Sequence, residues 1–282
     1  MLIAKTIAEV RAAVAKLRGD KKCIGLVPTM GALHEGHLSL VRAARAHCSA
    51  VVVTIFVNPT QFGPKEDFAK YPRTFDEDCA MLEKEAVDVV FAPEAAEIYP
   101  PGASTVVEVA GISDRLDGVS RPGHFVGVAT VVAKLFNIVQ PDHAFFGQKD
   151  AAQVAVLRRM VRDLHFNLEL IVCPIVREAD GLAMSSRNRY LSVDERQQAL
   201  VLRRALRRVE AEVAAGVVES QPLIDAGLAV LADEPEIRVD YFSIVDPDTL
   251  EDVPDVTAGA LVAVAAAVGL TRLIDNVLIP PR

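Results

Sequence analysis

The stretch Ile24-Gly25-Leu26-Val27-Pro28-Thr29-Met30-Gly31-Ala32-Leu33-His34-Glu35-Gly36-His37-Leu38-Ser39-Leu40 decides how this chain is read. It opens as a short apolar run of the length of a buried strand. Pro28 and Gly31 then punctuate a loop. Gly36 has no Cβ, so the backbone can come close to a ligand there. From His37 the apolar residues Leu38, Leu40, Val41, Ala43 and Ala44 recur at helical spacing. Strand, glycine-containing turn and helix start is the layout that sets a phosphate against free backbone N–H groups and a positive dipole end. His34 and His37 add two imidazoles at the same spot. On these residues alone two other readings stay open. The pair could lie on a loop or helix surface without a role. It could also bind zinc, although His-x-x-His is not the His-Glu-x-x-His of a helical zinc site and no Cys or third His is near enough to complete an obvious motif.

Outward from that stretch the pattern alternates. Thr6 and Glu9 form a capping box for a helix carrying Ile7, Val10, Val14 and Leu17, which Gly19 ends. Cys23 to Val27 is the first strand, and a helix follows to about His47. Residues 50–57, Ala-Val-Val-Val-Thr-Ile-Phe-Val, form a β-branched run of the kind buried on both faces of a parallel sheet. It ends in the loop Asn58 to Pro64, at the carboxyl end of a strand, where open α/β sheets bind ligands. Thr74 and Glu77 suggest a second capping box, for a helix to about Ala86. The strand Val87 to Ala92 follows, and Thr105 to Val109 is a further candidate strand. Arg121 to His124 reads as a loop before an apolar helix from Val126 to Val139. His143 to Phe146 is a strand ending at Gly147-Gln148-Lys149-Asp150. A helix through Val154, Leu157, Val161 and Leu164 and a last parallel strand, Leu168 to Cys173, complete this part.

The order βαβαβ predicts an α/β fold, a Rossmann-like doubly wound parallel sheet with right-handed crossovers. Pro174 marks a change. Ser192 and Glu195 make a third capping box for a long helix toward Ala214, and a second helix covers about Pro222 to Ala232. The strand-like runs Ile237 to Val245, Ala260 to Val268 and Thr271 to Ile279 then follow without intervening helices. That argues a smaller α+β C-terminal domain with an antiparallel sheet. The expected division is therefore residues 1–175 and 176–282. The Ala-rich run Ala260 to Ala267 suits a tightly packed strand or helix, and pattern alone does not choose.

With 282 residues the chain is long for one core and suits two domains. It is 51% hydrophobic and 24% charged, as an ordinary globular enzyme is. A formal charge of −8 argues against a nucleic-acid surface. Cys23, Cys48, Cys79 and Cys173 are scattered and form no Cys-x-x-Cys, so they read as small buried residues in a reducing compartment. The N-terminal residues carry Lys5, Arg11, Lys16 and Arg18 among apolar positions and lack a signal core. The longest apolar run, Ala260 to Leu270, is too short to span a membrane. The expectation is a cytoplasmic protein with no membrane or nucleic-acid partner.

The string His34-Glu35-Gly36-His37 resembles the signature of adenylating nucleotidyltransferases related to class I aminoacyl-tRNA synthetases. The wider string from Pro28 to His37 resembles the pantothenate synthetase (pantoate–β-alanine ligase) family within that superfamily. Four further stretches match the same pattern: Asn58–Gly63, Tyr71–Asp78, Gly147–Gln153 and Val176–Arg187. Met184-Ser185-Ser186-Arg187-Asn188 is similar to the superfamily's second, mobile signature, with Ala183 where its first Lys would stand and Arg187 in the later basic place. The resemblance covers nearly the first 192 residues.

The residue chemistry fits what this resemblance implies. Lys149 at a helix start can neutralise developing phosphate charge, and Ser hydroxyls with an Arg fork suit a pyrophosphate leaving group. The catalytic residues implied are His34, His37, Lys149, Ser185 and Arg187. ATP would lie on Pro28, Met30, Gly36, His37, Phe146, Gly147, Lys149, Asp150, Val176, Met184, Ser185, Ser186 and Arg187, with Asp150 taking ribose hydroxyls. Pantoate would lie on Met30, Gln61 and Gln153. Neutral amides orient a carboxylate while leaving it nucleophilic, which an Arg fork would not. Asp76, Glu77 and Asp78 are hard oxygen ligands suited to Mg²⁺ beside ATP phosphates, with Glu77 and Asp78 favoured by resemblance and Asp150 a competitor. The same acids could instead simply complement a helix N-terminus.

The expected activity is AMP-forming, ATP-dependent condensation of pantoate with β-alanine through pantoyl adenylate. The C-terminal domain is expected to form a lid, and the assembly to be a homodimer. A nucleotidyltransferase that keeps the nucleotide on a phosphate-ester product is the nearest alternative. A non-catalytic nucleotide sensor would not need both signatures.

Overall fold

A computed structural model describes residues 1–19, 22–64 and 68–282. The chain begins β1 (Leu2–Ala4), α1 (Ile7–Gly19), β2 (Ile24–Thr29), α2 (Glu35–His47), β3 (Ala50–Ile55), α3 (Phe75–Lys84) and β4 (Val89–Phe91). Two single-turn helices follow, α4 (Ala95–Ile98) and α5 (Asp117–Ser120). Next come α6 (His124–Val139), β5 (His143–Gly147), α7 (Ala151–Asp163) and β6 (Glu169–Cys173). The remainder is α8 (Val193–Ala214), α9 (Ser220–Leu231), β7 (Arg238–Val245), β8 (Ala260–Val268) and β9 (Thr271–Ile279). No helix among the described residues is long and apolar enough to cross a membrane.

The first six strands form one parallel sheet in the order β1-β4-β3-β2-β5-β6. The chain winds outward from β2 through β3 to β4, then returns to the other side of β2 and continues through β5 to β6. The direction of winding thus reverses between β2 and β5, the position where open α/β sheets hold ligands. β2 and β3 stay in register from Ile24↔Ala50 to Thr29↔Ile55, whereas β2 and β5 pair only at Gly25↔His143 and Leu26↔Ala144. Beyond those pairs the two strands part and open a crevice. Residues 50–53 of β3 have no exposed surface, as a strand covered on both faces requires. Gly25 is glycine because α2 lies close on β2. A Cβ there would stand 3.2 Å from the Phe145 ring and 3.3 Å from Ala44 Cβ.

β7, β8 and β9 form the second sheet, antiparallel throughout. Ala260 to Ala267 is its central strand, which resolves the choice left open by the sequence. Val262, Val264 and Ala266 join the apolar core beneath α8 and α9, while Leu261 and Ala263 join the core of the large sheet. Small side chains let β8 lie between two cores.

One strand goes beyond the sequence reading, and two expectations need correction. β1 extends the large sheet beside β4, although three residues preceding a capping box carry no periodic signal. Thr105 to Val109 is not a strand; the Val107 N–H donates to Thr130 Oγ1 at 2.8 Å instead of to a neighbouring strand. Thr74 and Glu77 form no capping box, because the Thr74 hydroxyl donates to Asp78 Oδ1 at 3.2 Å. The capping boxes Thr6–Glu9 and Ser192–Glu195 are both present.

Candidate active site

The start of α2 is built by its own histidines. His34 is the N-cap, in extended backbone conformation, and its Nδ1 accepts the Gly36 N–H at 3.2 Å. His37 Nδ1 accepts the His34 N–H at 3.3 Å, so the pair makes a reciprocal capping box from imidazoles. The rings lie 4.1 Å apart. An Nδ1 that accepts carries no proton, so in each neutral ring the proton is on Nε2, which is left to donate. Burial holds both rings neutral. His34 is pushed down to about 4 by desolvation and by the Lys149 charge. His37 is pushed down to about 3 by desolvation, by His34 and by Lys149. Gly36 gives the His34 ring its place, since a Cβ there would meet that ring at 2.9 Å.

The loop leading into α2 is anchored by Asp78. This buried carboxylate accepts the N–H groups of Ala32 at 2.9 Å and Leu33 at 2.8 Å. Gly31 turns the chain there with φ +82°, and a Cβ would stand 3.0 Å from Asp78 Oδ2. The structure therefore gives Asp78 a different task from the metal binding expected of it: its oxygens face the loop and are shut off from solvent. Glu77, its expected companion, is exposed on α3. The acidic turn does not fit a metal site, and its charges complement a helix start.

Across the crevice, β5 ends at Gly147 and turns through Gln148–Asp150 into α7. Lys149 Nζ lies 3.6 Å from Asp150 Oδ1. The turn is held from the second sheet. Asn276 on β9, itself buried, donates from Nδ2 to the carbonyls of Gln148 and Lys149, both at 3.0 Å. Its Oδ1 accepts from Gln148 Nε2 at 3.1 Å.

Beside the histidines lies a cavity of about 180 Å³ whose wall includes Pro28, Met30, His37, Gln61, Phe146 and Gln153. Asn58, buried at the end of β3, donates to Gln61 Oε1 at 3.0 Å. That fixes which end of the Gln61 amide is oxygen and turns its NH₂ toward Met30 Sδ, 3.1 Å away. The carbonyl of Gln61 accepts from His124 Nδ1 at 2.9 Å, and His124 Nε2 accepts from Arg121 at 3.0 Å. A second, smaller chamber of about 70 Å³ adjoins it. Arg121, His124, Asp150, Gln153 and Arg187 line both.

The second signature closes one side. Met184 N–H donates to the Val176 carbonyl at 3.0 Å, folding this segment back on itself. Met184 Cβ would stand 3.8 Å from a Cβ built on Gly36. Ser185 caps the turn Ser186–Tyr190 by accepting the Arg187 N–H at 3.2 Å. Ser186 is buried. The structure thus gathers His34, His37, Lys149, Asp150, Gln61, Gln153 and Arg187 around one crevice.

Asn58, Arg121, His124 and Asn276 were not singled out by sequence reasoning. Asn58 carried a usable signal, an Asn before Pro where a buried strand ends. Arg121 and His124 read only as loop residues, and Asn276 as one polar position in a strand.

A family model for "Pantoate-beta-alanine ligase" matches residues 2–278. The pantothenate synthetase of Acidobacterium capsulatum is 67% identical over 287 aligned positions, covering 98% of this chain and 96% of its own. That of Thermotoga petrophila is 55% identical, with 99% and 100% covered. The crystal structure of pantothenate synthetase from Thermus thermophilus superposes with a TM-score of 0.95 at 48% identity, covering all of both chains. A pantoate–β-alanine ligase from Francisella tularensis, complexed with β-γ ATP and β-alanine, superposes with a TM-score of 0.81 at 34% identity, covering 99% of this chain and 97% of that one. With its reversal point flanked by paired imidazoles, and a family match running almost from end to end, the chain belongs to the pantoate–β-alanine ligase family.

Proposed function

We propose that this chain condenses pantoate with β-alanine at the expense of ATP, releasing AMP and pyrophosphate. The observation that carries the reading is the convergence at one crevice of two neutral imidazoles donating from Nε2, the Lys149 cation and a cavity with two side-chain amides.

In the first step a pantoate carboxylate oxygen attacks the α-phosphorus of Mg·ATP. The bond to the bridging oxygen of the β-phosphate breaks, and pyrophosphate leaves with the electron pair. His34 and His37 donate to oxygens on which charge grows, while Lys149 and Arg187 balance it with fixed positive charge. Preorganised neutral donors suit this task because they need no proton change during the step. Gln61, its amide set by Asn58, and Gln153 orient the hydroxy acid without engaging its carboxylate in an ion pair. Met30 supplies apolar wall. In the second step the neutral amine of β-alanine attacks the acyl carbon, forming the amide and expelling AMP. No enzyme nucleophile is needed. Mg²⁺ enters as part of the substrate, and Asp150, the carboxylate lining both chambers, is the residue suited to face it. Pro28, Gly36, Phe146, Gly147, Val176 and Met184 are read as the adenosine side, and Ser185, Ser186 and Arg187 as the pyrophosphate side. We read residues 176–282 as a module whose Ser185–Arg187 turn covers the nucleotide. A cytoplasmic homodimer is the family expectation. The rival transferase that keeps the nucleotide on its product has no support in the family match.

Isotope exchange tests the chemistry. Labelled pyrophosphate is expected to enter ATP when pantoate and Mg²⁺ are present and β-alanine is absent. His34→Ala is expected to lose this exchange at saturating pantoate by about 10²–10³-fold. Gln153→Ala is expected to lose it mainly through weaker pantoate binding, by about 1–3 kcal/mol. Exchange that requires β-alanine would overturn the adenylate route.

A further inference from the structure

At the opposite end of the strands from the crevice, three soft and borderline donors meet. Cys23 precedes β2, Cys48 caps the C-terminus of α2, and His143 opens β5. One ligand atom from each lies within 4.8 Å of the others. The two sulfurs stand 2.7 Å apart. His143 Nδ1 is sealed from water and has no aligned hydrogen-bond partner, although Glu169 Oε2 lies 3.3 Å away. The backbone fixes this meeting. Ala50 N–H donates to the Cys23 carbonyl at 3.0 Å, and Cys48 N–H donates to Ala44 O at 2.8 Å. The Ile24 N–H donates to Asp142 Oδ2 at 2.8 Å, tying the start of β2 to the residue before His143.

We propose that Cys23, Cys48 and His143 form a binding site for a thiophilic divalent cation, with Zn²⁺ as the fitting ion. Two sulfurs and one imidazole nitrogen are the donor set of zinc sites that keep a fourth position open. The exposed Glu169 carboxylate, already beside the imidazole, can fill that position, or water can. Two thiolates on a tetrahedral ion at ~2.3 Å stand about 3.8 Å apart, so loading means the sulfurs part by about 1 Å, within the reach of small side-chain rotations. Zn²⁺ enters and the two thiol protons leave to solvent, with no change of oxidation state. Cys48 is buried while Cys23 and His143 are partly exposed, which leaves an entry path from solvent.

Co²⁺ gives the direct test because thiolate ligation shows as a charge-transfer band. Fully reduced enzyme is titrated with Co²⁺, and Zn²⁺ is then added. A thiolate band at one equivalent, bleached by Zn²⁺, is expected. Cys48→Ser is expected to abolish it, and His143→Gln to weaken Co²⁺ binding by at least about 10–100-fold, the range known for losing even an outer-shell partner. Pyrophosphate exchange in each variant reports that the fold is intact, because these residues lie at the far end of the strands from the crevice. Absence of a thiolate band in reduced enzyme, or a band that survives in Cys48→Ser, would overturn the site. So would isolation of the purified protein with Cys23 and Cys48 joined as a disulfide that Zn²⁺ with reductant does not replace.

Discussion

The imidazoles at the start of α2 are unusual in being neutral by construction. Each Nδ1 is committed to a backbone N–H, and burial pushes His34 down to about 4 and His37 to about 3. Neither should titrate near neutrality. We expect the NMR signals of both rings to stay in the neutral position from pH 8 down to about 5, and kcat to show no inflection from them in that window. The sign for stability follows. In the unfolded chain each His takes up a proton near pH 6.5, while in the fold it does so only near its depressed value. The stabilising difference is complete above about 6.5 and is lost as pH falls toward 4, by roughly 1 kcal/mol per pH unit for each ring. Urea unfolding across pH 4–8 checks the slope, and His37→Asn should flatten part of it. A second outcome concerns Gly36. Adding a Cβ 2.9 Å from the His34 ring displaces the donor rather than removing it. Gly36→Ala should lower kcat by about 10²-fold, the cost of a displacement near 1 Å, with folding little changed by circular dichroism.

Among elements, β9 does more than close the small sheet. Through Asn276 it holds the carbonyls on either side of Lys149. Asn276→Ala should lower kcat by about 10-fold or more while the KM for pantoate stays near its starting value, because Gln61 is set by Asn58 in the separate turn after β3. A proportionate rise in pantoate KM would argue against this positioning role. The same comparison shows what could be read in advance. β2, α2 and β3 were legible because their apolar periods, glycines and termini are local. The crevice was legible as well, since strand–turn–helix order implies a reversal of winding. Asn276 was not, because its partners lie more than a hundred residues away and no local pattern marks a buried Asn in a strand. Asp78 misled for a related reason. Three acids in a first turn read as a dipole complement or a metal cluster, and only folding shows that one of them turns inward to hold Ala32 and Leu33. The short β1 and the segment from Thr105 to Val109 depend on neighbours as well: one found an open sheet edge and the other found the Thr130 hydroxyl.

At the scale of the whole molecule, side chains of the second sheet reach both the segment that follows β6 and the N-terminal part of the chain. Arg177 grips buried Asp275 through two bonds of 2.6 and 2.9 Å, Asn276 holds the Lys149 turn, and Arg272 pairs with Asp117 at 2.6 Å. Arg177→Met should cost about 3–5 kcal/mol in urea unfolding, since it strands the Asp275 carboxylate in a buried place. Arg177→Met combined with Asp275→Leu should recover much of that loss. With the start of the connecting segment held at Arg177, we expect any closure over ATP to fall to the Ser185–Arg187 turn. Trypsin cutting after Arg187 and Arg189 should slow when Mg·ATP is present, and equal rates would mean the turn does not move. The cap that His34 places on α2 carries a consequence for drift between sequences. Losing the imidazole strips a helix end of its partner as well as the reaction of its donor, so selection for folding alone resists the change. Lys149 has no such second hold: its ammonium contacts only the neighbouring Asp150 among the described ion pairs. A descendant released from catalysis would shed Lys149 early and keep His34, leaving a fossil histidine where a nucleotide no longer binds.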